Sequence, residues 1–192
     1  MAPQDEGRFY DLLETLFKEI DQEQVRAEVL AFRGEKPDAT REQLADEMTK
    51  KAARRVATVG AAAGAAGGPL AILAMAPDIF NLVMQQSRLV LSIAFLFDQK
   101  ADVNRRFKEV LATLAVATGA SGGGLATRVL VAKGLERAAA AKLARKIFGR
   151  FLARRVANLA PVLGTIAGGT FNYLAMRAVG KAALAFYSSE SR

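Results

Sequence analysis

The sequence predicts an all-α protein, a compact single-domain bundle of about seven helices with Gly/Ala-rich hydrophobic helical hairpins at its centre. Three observations carry this. Apolar residues recur at helical spacing near the N-terminus, long uncharged stretches rich in Ala and Gly follow, and no stretch shows a sustained period-two alternation of apolar and polar residues. With 52% hydrophobic residues in 192, the chain is long enough and apolar enough for one domain with a real core.

The first helix follows from Phe9, Leu12, Leu13, Leu16, Phe17 and Ile20, which fall at i, i+3, i+4, i+7, i+8 and i+11 with charges between them. Val25, Val29 and Phe32 continue into a second short helix that Gly34 and Pro37 stop. Residues 1–38 are expected to pack as an amphipathic pair on the outside of a domain formed by residues 39–192. Thr40 and Gln43 then form a capping-box pattern, opening a charged helix that runs to about Thr58.

From Val56 to Ala76 the chain holds 21 residues without a charge, ended by Pro77. Ala and Gly favour insertion into a bilayer only weakly, and Pro69 interrupts the hydrogen-bond ladder near the middle, so a membrane span is not predicted there. Asp78 to Phe97 is richer in large apolar side chains. Its central Arg88 costs about +2.5 to +3.5 kcal/mol in a bilayer, against roughly −0.3 to −0.6 for each apolar residue, so this stretch inserts poorly alone. On a helix, Asp78, Asn81, Gln85, Arg88 and Ser92 share one face. The strip reads either as the solvent-facing edge of a core helix or as a buried polar seam that lines a cavity or an interhelical contact. Asp78, directly after Pro77, also suits an N-cap.

After a charged connector, Asp98 to Arg106, residues Val110 to Thr118 give a further apolar helix, broken by GASGGG at 119–124. A phosphate-cradling loop needs a lysine and a hydroxyl after its glycines and a strand before them. Here Leu125, Ala126 and Thr127 follow and a helix precedes, so nucleotide binding is not predicted.

The net charge of +8 is unevenly placed: residues 1–55 hold 10 Lys/Arg against 13 Asp/Glu, and residues 56–192 hold 17 against 6. Residues 128–155 alone carry nine basic residues, with only Glu136 in opposition. Within them Lys142, Lys146, Arg150 and Arg154 form an i+4 stripe, with Ala144, Phe148, Phe151 and Leu152 toward the other side. This is a basic amphipathic helix, either a solvated bundle face or a surface for anionic lipid headgroups. Nucleic acid is not expected as a partner, because no reading motif accompanies the charge.

The segment 156–176 places Asn158, Thr165 and Asn172 at i, i+7 and i+14, with Gly168 and Gly169 on or beside the same face. Asn172 is grouped with the polar residues of the 78–92 strip as a candidate polar site. Gly60 and Gly64, Gly64 and Gly68, Gly119 and Gly123, and Gly164 and Gly168 each make G-x-x-x-G. Repetition of that spacing predicts close helix contacts, where a missing Cβ lets two axes approach.

The run VGAAAGAAGGPLAILAMAPDIFNLVMQQSRLVLSIAFLFDQ and the later PVLGTIAGGTFNYLAMRAVGKAALAFY together resemble the EcsC family of bacterial proteins. Pro161, Gly164, Gly168, Gly169, Asn172, Tyr173, Gly180 and Ala183 follow that family's order of motifs, and the likeness covers about residues 45 to 187. It implies a small helical domain, linked in the name-giving case to the gene neighbourhood of an ABC transporter, with no established activity.

Cysteine and histidine are both absent, which excludes thiol nucleophiles, disulfide frameworks, Cys/His zinc sites and imidazole acid–base catalysis. No cofactor or metal is expected. The N-terminus MAPQDEGRFY lacks a basic region followed by an apolar one, so a cytoplasmic protein is expected, attached peripherally to the inner face of the cytoplasmic membrane. The functional expectation is a non-catalytic helical protein that docks on anionic lipid, or on a membrane protein, through Lys142, Lys146, Arg150 and Arg154. The alternative is a small-ligand binder or enzyme built on the polar strip around Asp78 and Arg88.

Overall fold

A computed structural model describes residues 4–64, 69–97, 103–121, 136–157 and 164–190. These form seven α-helices, and among the described residues there is no strand: α1 (Gln4–Lys18), α2 (Gln22–Gly34), α3 (Arg41–Gly64), α4 (Pro69–Phe97), α5 (Val103–Thr118), α6 (Arg137–Ala157) and α7 (Gly164–Glu190).

The predicted periodicity of α1 is used as expected: Tyr10, Leu13, Phe17 and Ile20 are buried, and Phe9, Leu12 and Leu16 pack at the margin. They lie chiefly against α6, where Phe9 stacks on Phe148 with ring centroids 5.0 Å apart. Asp21 caps α2 by accepting from the Gln24 amide at 2.9 Å. Val25 and Val29 then seat α2 against α4. The capping box at α3 closes in both directions. The Gln43 amide donates to Thr40 Oγ1 at 3.2 Å, and the Thr40 amide donates to Gln43 Oε1 at 2.8 Å.

Three helix boundaries differ from those expected. α3 continues past Thr58 to Gly64. α4 does not begin after Pro77. It begins at Pro69, where a proline suits the first helical position, and it runs through Pro77 to Phe97. Asp78 is therefore inside a helix and is not an N-cap. Pro77 removes one backbone donor, but α4 is the central element and packs against α1, α2, α3, α5 and α7, and tertiary burial outweighs that local cost. α5 likewise starts at Val103, so Arg106 is a helical core residue and not part of a connector.

α3 and α7 make the most extensive helix pair. They run antiparallel, with Thr49 opposite Gly180 and the Asn172 amide donating to the Val56 carbonyl at 3.4 Å. A Cβ on Gly180 would stand 2.8 Å from Thr49 Cβ, and nearer still to its Cγ2 and Oγ1. A close approach through a missing Cβ exists at Gly180, which is none of the glycines of the G-x-x-x-G spacing. Gly60 and Gly64 fall in the last turns of α3, and Gly164 and Gly168 in the first turns of α7. Their surroundings, like Gly68 itself and the expected central burial of the Gly-rich hairpins, lie outside the described residues.

The same helix pair carries a half-buried ion triad. Asp46 accepts from Lys50 at 2.7 Å and from Arg177 at 2.8 Å, and those hydrogen bonds hold its carboxyl below the ordinary value of 3.8. A depressed folded-state pKa stabilises above the unfolded value and is lost as pH falls through the folded one. Stability from this triad is therefore present at neutral pH and expected to decline below about pH 3.8, so Asp46→Asn should be slightly less stable than the parent at neutral pH and should converge with it in acid, which flattens that part of the acid-unfolding curve. An identical acid limb in the variant would remove Asp46 from the account.

One helix among the described residues is long and apolar enough to cross a membrane, Phe80–Phe97 of α4, and 61% of that window is buried inside the protein. Leu82, Val83, Val90, Leu91, Ile93 and Ala94 are nearly or fully inaccessible, the pattern of a central bundle helix.

Candidate functional site

The basic stripe of α6 is built by the helix's opposite face. Ala140, Ala144, Ile147, Phe148 and Phe151 are buried against α1 and α5, and this turns Lys142 and Lys146 outward. Both lysines are exposed and have no carboxylate within ion-pair distance among the described residues. Phe148 and Phe151 are committed to the core. Phe148 meets Phe9 at 5.0 Å and Phe80 at 6.3 Å, so neither ring is available for insertion into a bilayer.

Arg150 has a different task from the lysines. Its Nη1 donates to the Thr118 carbonyl at 3.3 Å, placing a cation at the C-terminus of α5, where unsatisfied carbonyls carry partial negative charge. Gly119 follows with φ +72°, the left-handed conformation that glycine adopts freely, and a Cβ there would come 2.8 Å from Arg150 Nη1. Arg150 is thus a cap for α5. Arg154 lies on α6, with its side chain outside the described residues.

The α4 strip lies between solvent and core. Asn81 is exposed, while Gln85, Arg88 and Ser92 are half-buried along an open groove of about 140 Å³ between α2, α3 and α4. Arg88 Nη2 donates to Glu28 Oε1 at 2.6 Å, tying α4 to α2. The Asp78 side chain lies outside the described residues. Asn172 is buried on α7 and bonds α3, so it is separate from the strip.

Periodicity alone did not single out three further features. Lys51 and Arg55 of α3 join Arg88 in the groove, a convergence that only the tertiary packing creates. Gln86 is fully buried, and neither its amide nitrogen nor its oxygen has a hydrogen-bond partner among the described residues. Arg106, Glu109 and Tyr187 form a buried polar cluster: Arg106 Nη1 meets Glu109 Oε2 at 3.2 Å, and the Tyr187 hydroxyl donates to the same oxygen at 3.0 Å. Arg106 also lies over the Phe95 and Tyr187 rings, at 5.5 and 5.8 Å. Burial, reinforced by the neighbouring carboxylate, pushes the Tyr187 phenol well above its usual value, so it stays a neutral donor. The i, i+3 spacing of Arg106 and Glu109 was the available signal, because it continues the helix of Val110–Thr118 backward by one turn.

Among the described residues no group of three or more acidic side chains is placed to hold a metal ion. Comparison with protein-family models, with curated proteins and with solved structures finds no match to this chain.

Proposed function

We propose that the protein is a non-catalytic helical protein that docks peripherally on anionic lipid at the inner face of the cytoplasmic membrane through the outer face of α6. One observation carries the reading: Lys142 and Lys146 stand outward on a helix whose other face is locked into the core, and no carboxylate neutralises them among the described residues. Their cost of desolvation stays small because a headgroup surface is itself wet. Each contributes about 1 kcal/mol near an anionic surface, and the attraction is screened over roughly 8–10 Å at ordinary salt. With Phe148 and Phe151 held inside, the binding is electrostatic, reversible and free of insertion. The resemblance to the EcsC family belongs to the same proposal and rests on the residues quoted for it.

The test is co-sedimentation with phosphatidylcholine vesicles with and without phosphatidylglycerol. Binding is expected only with the anionic lipid and is expected to fall as salt is raised. Lys142→Gln with Lys146→Gln should weaken it by about thirtyfold, the equivalent of about 2 kcal/mol. Arg150→Gln belongs in a separate variant, because it also uncaps α5. Equal binding to both vesicle types, or an unchanged double-lysine variant, would leave α6 as a solvated bundle face.

A further inference from the structure

The groove between α2, α3 and α4 joins two kinds of surface. One wall is cationic, with Lys51 and Arg55 one helical turn apart on α3 and Arg88 entering from α4. The other is apolar, formed by Phe32, Met48 and Leu89. Outside the groove, Lys50 pairs with Asp46 and Lys36 pairs with Glu47. Inside it, the three cations face a single carboxylate, Glu28, which is engaged by Arg88 and also accepts from the Gln24 side chain at 3.1 Å. Lys51 sits 5.9 Å from the centre of the Phe32 ring, a contact that steadies a cation without neutralising it. The groove therefore carries two positive charges in excess.

That excess equals the charge of a phosphate monoester near neutral pH, about −1.5 to −2. The open groove offers about 140 Å³, room for one headgroup. A guanidinium offers five N–H donors in a fork, and Arg88 spends only part of them on Glu28, while Arg55 spends none on a carboxylate among the described residues. Glu28 thus orients Arg88, with its remaining donors left for a ligand.

We propose that this groove is a binding site for a phosphate monoester, held by Lys51, Arg55 and Arg88, with the ligand's apolar part lying on Phe32, Met48 and Leu89. The inference does not rest on docking through α6, since no residue of that helix lines the groove.

Calorimetric titration of the full chain with sn-glycerol 3-phosphate, and separately with dihexanoyl phosphatidic acid below its micelle concentration, tests it. Saturable one-site binding is expected for at least one probe. If the two bind alike, the phosphate contacts stand and the assignment of Phe32, Met48 and Leu89 to the ligand's apolar part falls. If the lipid binds more tightly, acyl carbons use the apolar wall. Arg55→Gln and Arg88→Gln should each weaken binding on the order of tenfold, as expected for loss of a charge-assisted hydrogen bond. Arg55 is exposed, so its variant tests the site without disturbing the α2–α4 tie that Arg88 makes. Lys142→Gln with Lys146→Gln should bind both probes as the parent does, which separates this site from vesicle docking. Absence of saturable binding to either probe, or parental affinity in the Arg55→Gln variant, overturns the assignment.

Discussion

Replacing Glu109 by glutamine is expected to destabilise the protein by about 3–5 kcal/mol, the usual cost of removing one partner from a buried ion pair. Glu109 and Arg106 are each 1% exposed, so water does not take over the lost interaction. Glutamine keeps the shape and can still accept from Tyr187, but it takes the negative charge from beside a guanidinium that remains ionised. For a chain of this length the midpoint of thermal unfolding should fall by roughly 6–20 °C. The rings of Phe95 and Tyr187 remain against Arg106 and offset part of the loss, which favours the lower half of that range.

A second variant separates the cost of breaking the cluster from the worth of having it. Arg106→Met, Glu109→Leu and Tyr187→Phe together remove the charges and the hydroxyl while keeping most of the volume. A buried ion pair gains little over a well-packed apolar equivalent, so the triple variant is expected to be near neutral, or more stable by about 1–4 kcal/mol. If chemical denaturation shows the triple variant as damaged as Glu109→Gln, the cluster contributes net stability and the desolvation argument fails here. If it is stable but its thermal transition broadens, the cluster serves to fix the mutual register of α5 and α7.

What the sequence makes legible and what it does not can be traced to how far each interaction reaches. α1 is readable because its buried residues repeat within one helix, and the start of α3 is readable because Thr40 and Gln43 bond each other three residues apart. The division of α6 into a core face and a basic face is readable for the same reason. Pro77 misleads because the local cost of a proline inside a helix is real, but packing against five other helices decides, and that packing is invisible at position 77. Arg106 reads as a solvated connector residue because charge ordinarily means exposure; its carboxylate lies one turn away, yet the phenol that completes the cluster is 81 residues further on. The groove is harder still. Arg88 stands out on α4, but Lys51 and Arg55 sit in a run of four consecutive or near-consecutive cations on α3, and nothing local says which of them turn toward α4.

Gly180 presents the same difficulty among sixteen glycines, most of them in tracts that look equally suited to close packing. The α3–α7 contact singles it out, and Gly180→Ala is expected to destabilise the protein by about 1–3 kcal/mol through overpacking, despite alanine's better helix propensity by about 1 kcal/mol. The new methyl would press on Thr49 Cβ, Cγ2 and Oγ1, and Thr49 has little room to turn, being 3% exposed with its hydroxyl donating to the Ala45 carbonyl at 2.7 Å. Relief therefore requires the helices to part, which loosens contacts along the most extensive pair in the fold. Moving the gap across the interface supplies the decisive comparison. Thr49→Gly alone should cost stability through helix propensity and lost packing, but Thr49→Gly with Gly180→Ala should recover part of the damage, with a coupling of about 0.5–3 kcal/mol in a double-mutant cycle read by denaturant unfolding. Purely additive effects would mean that the two helices do not meet at these residues, and the register of α3 against α7 would have to be redrawn.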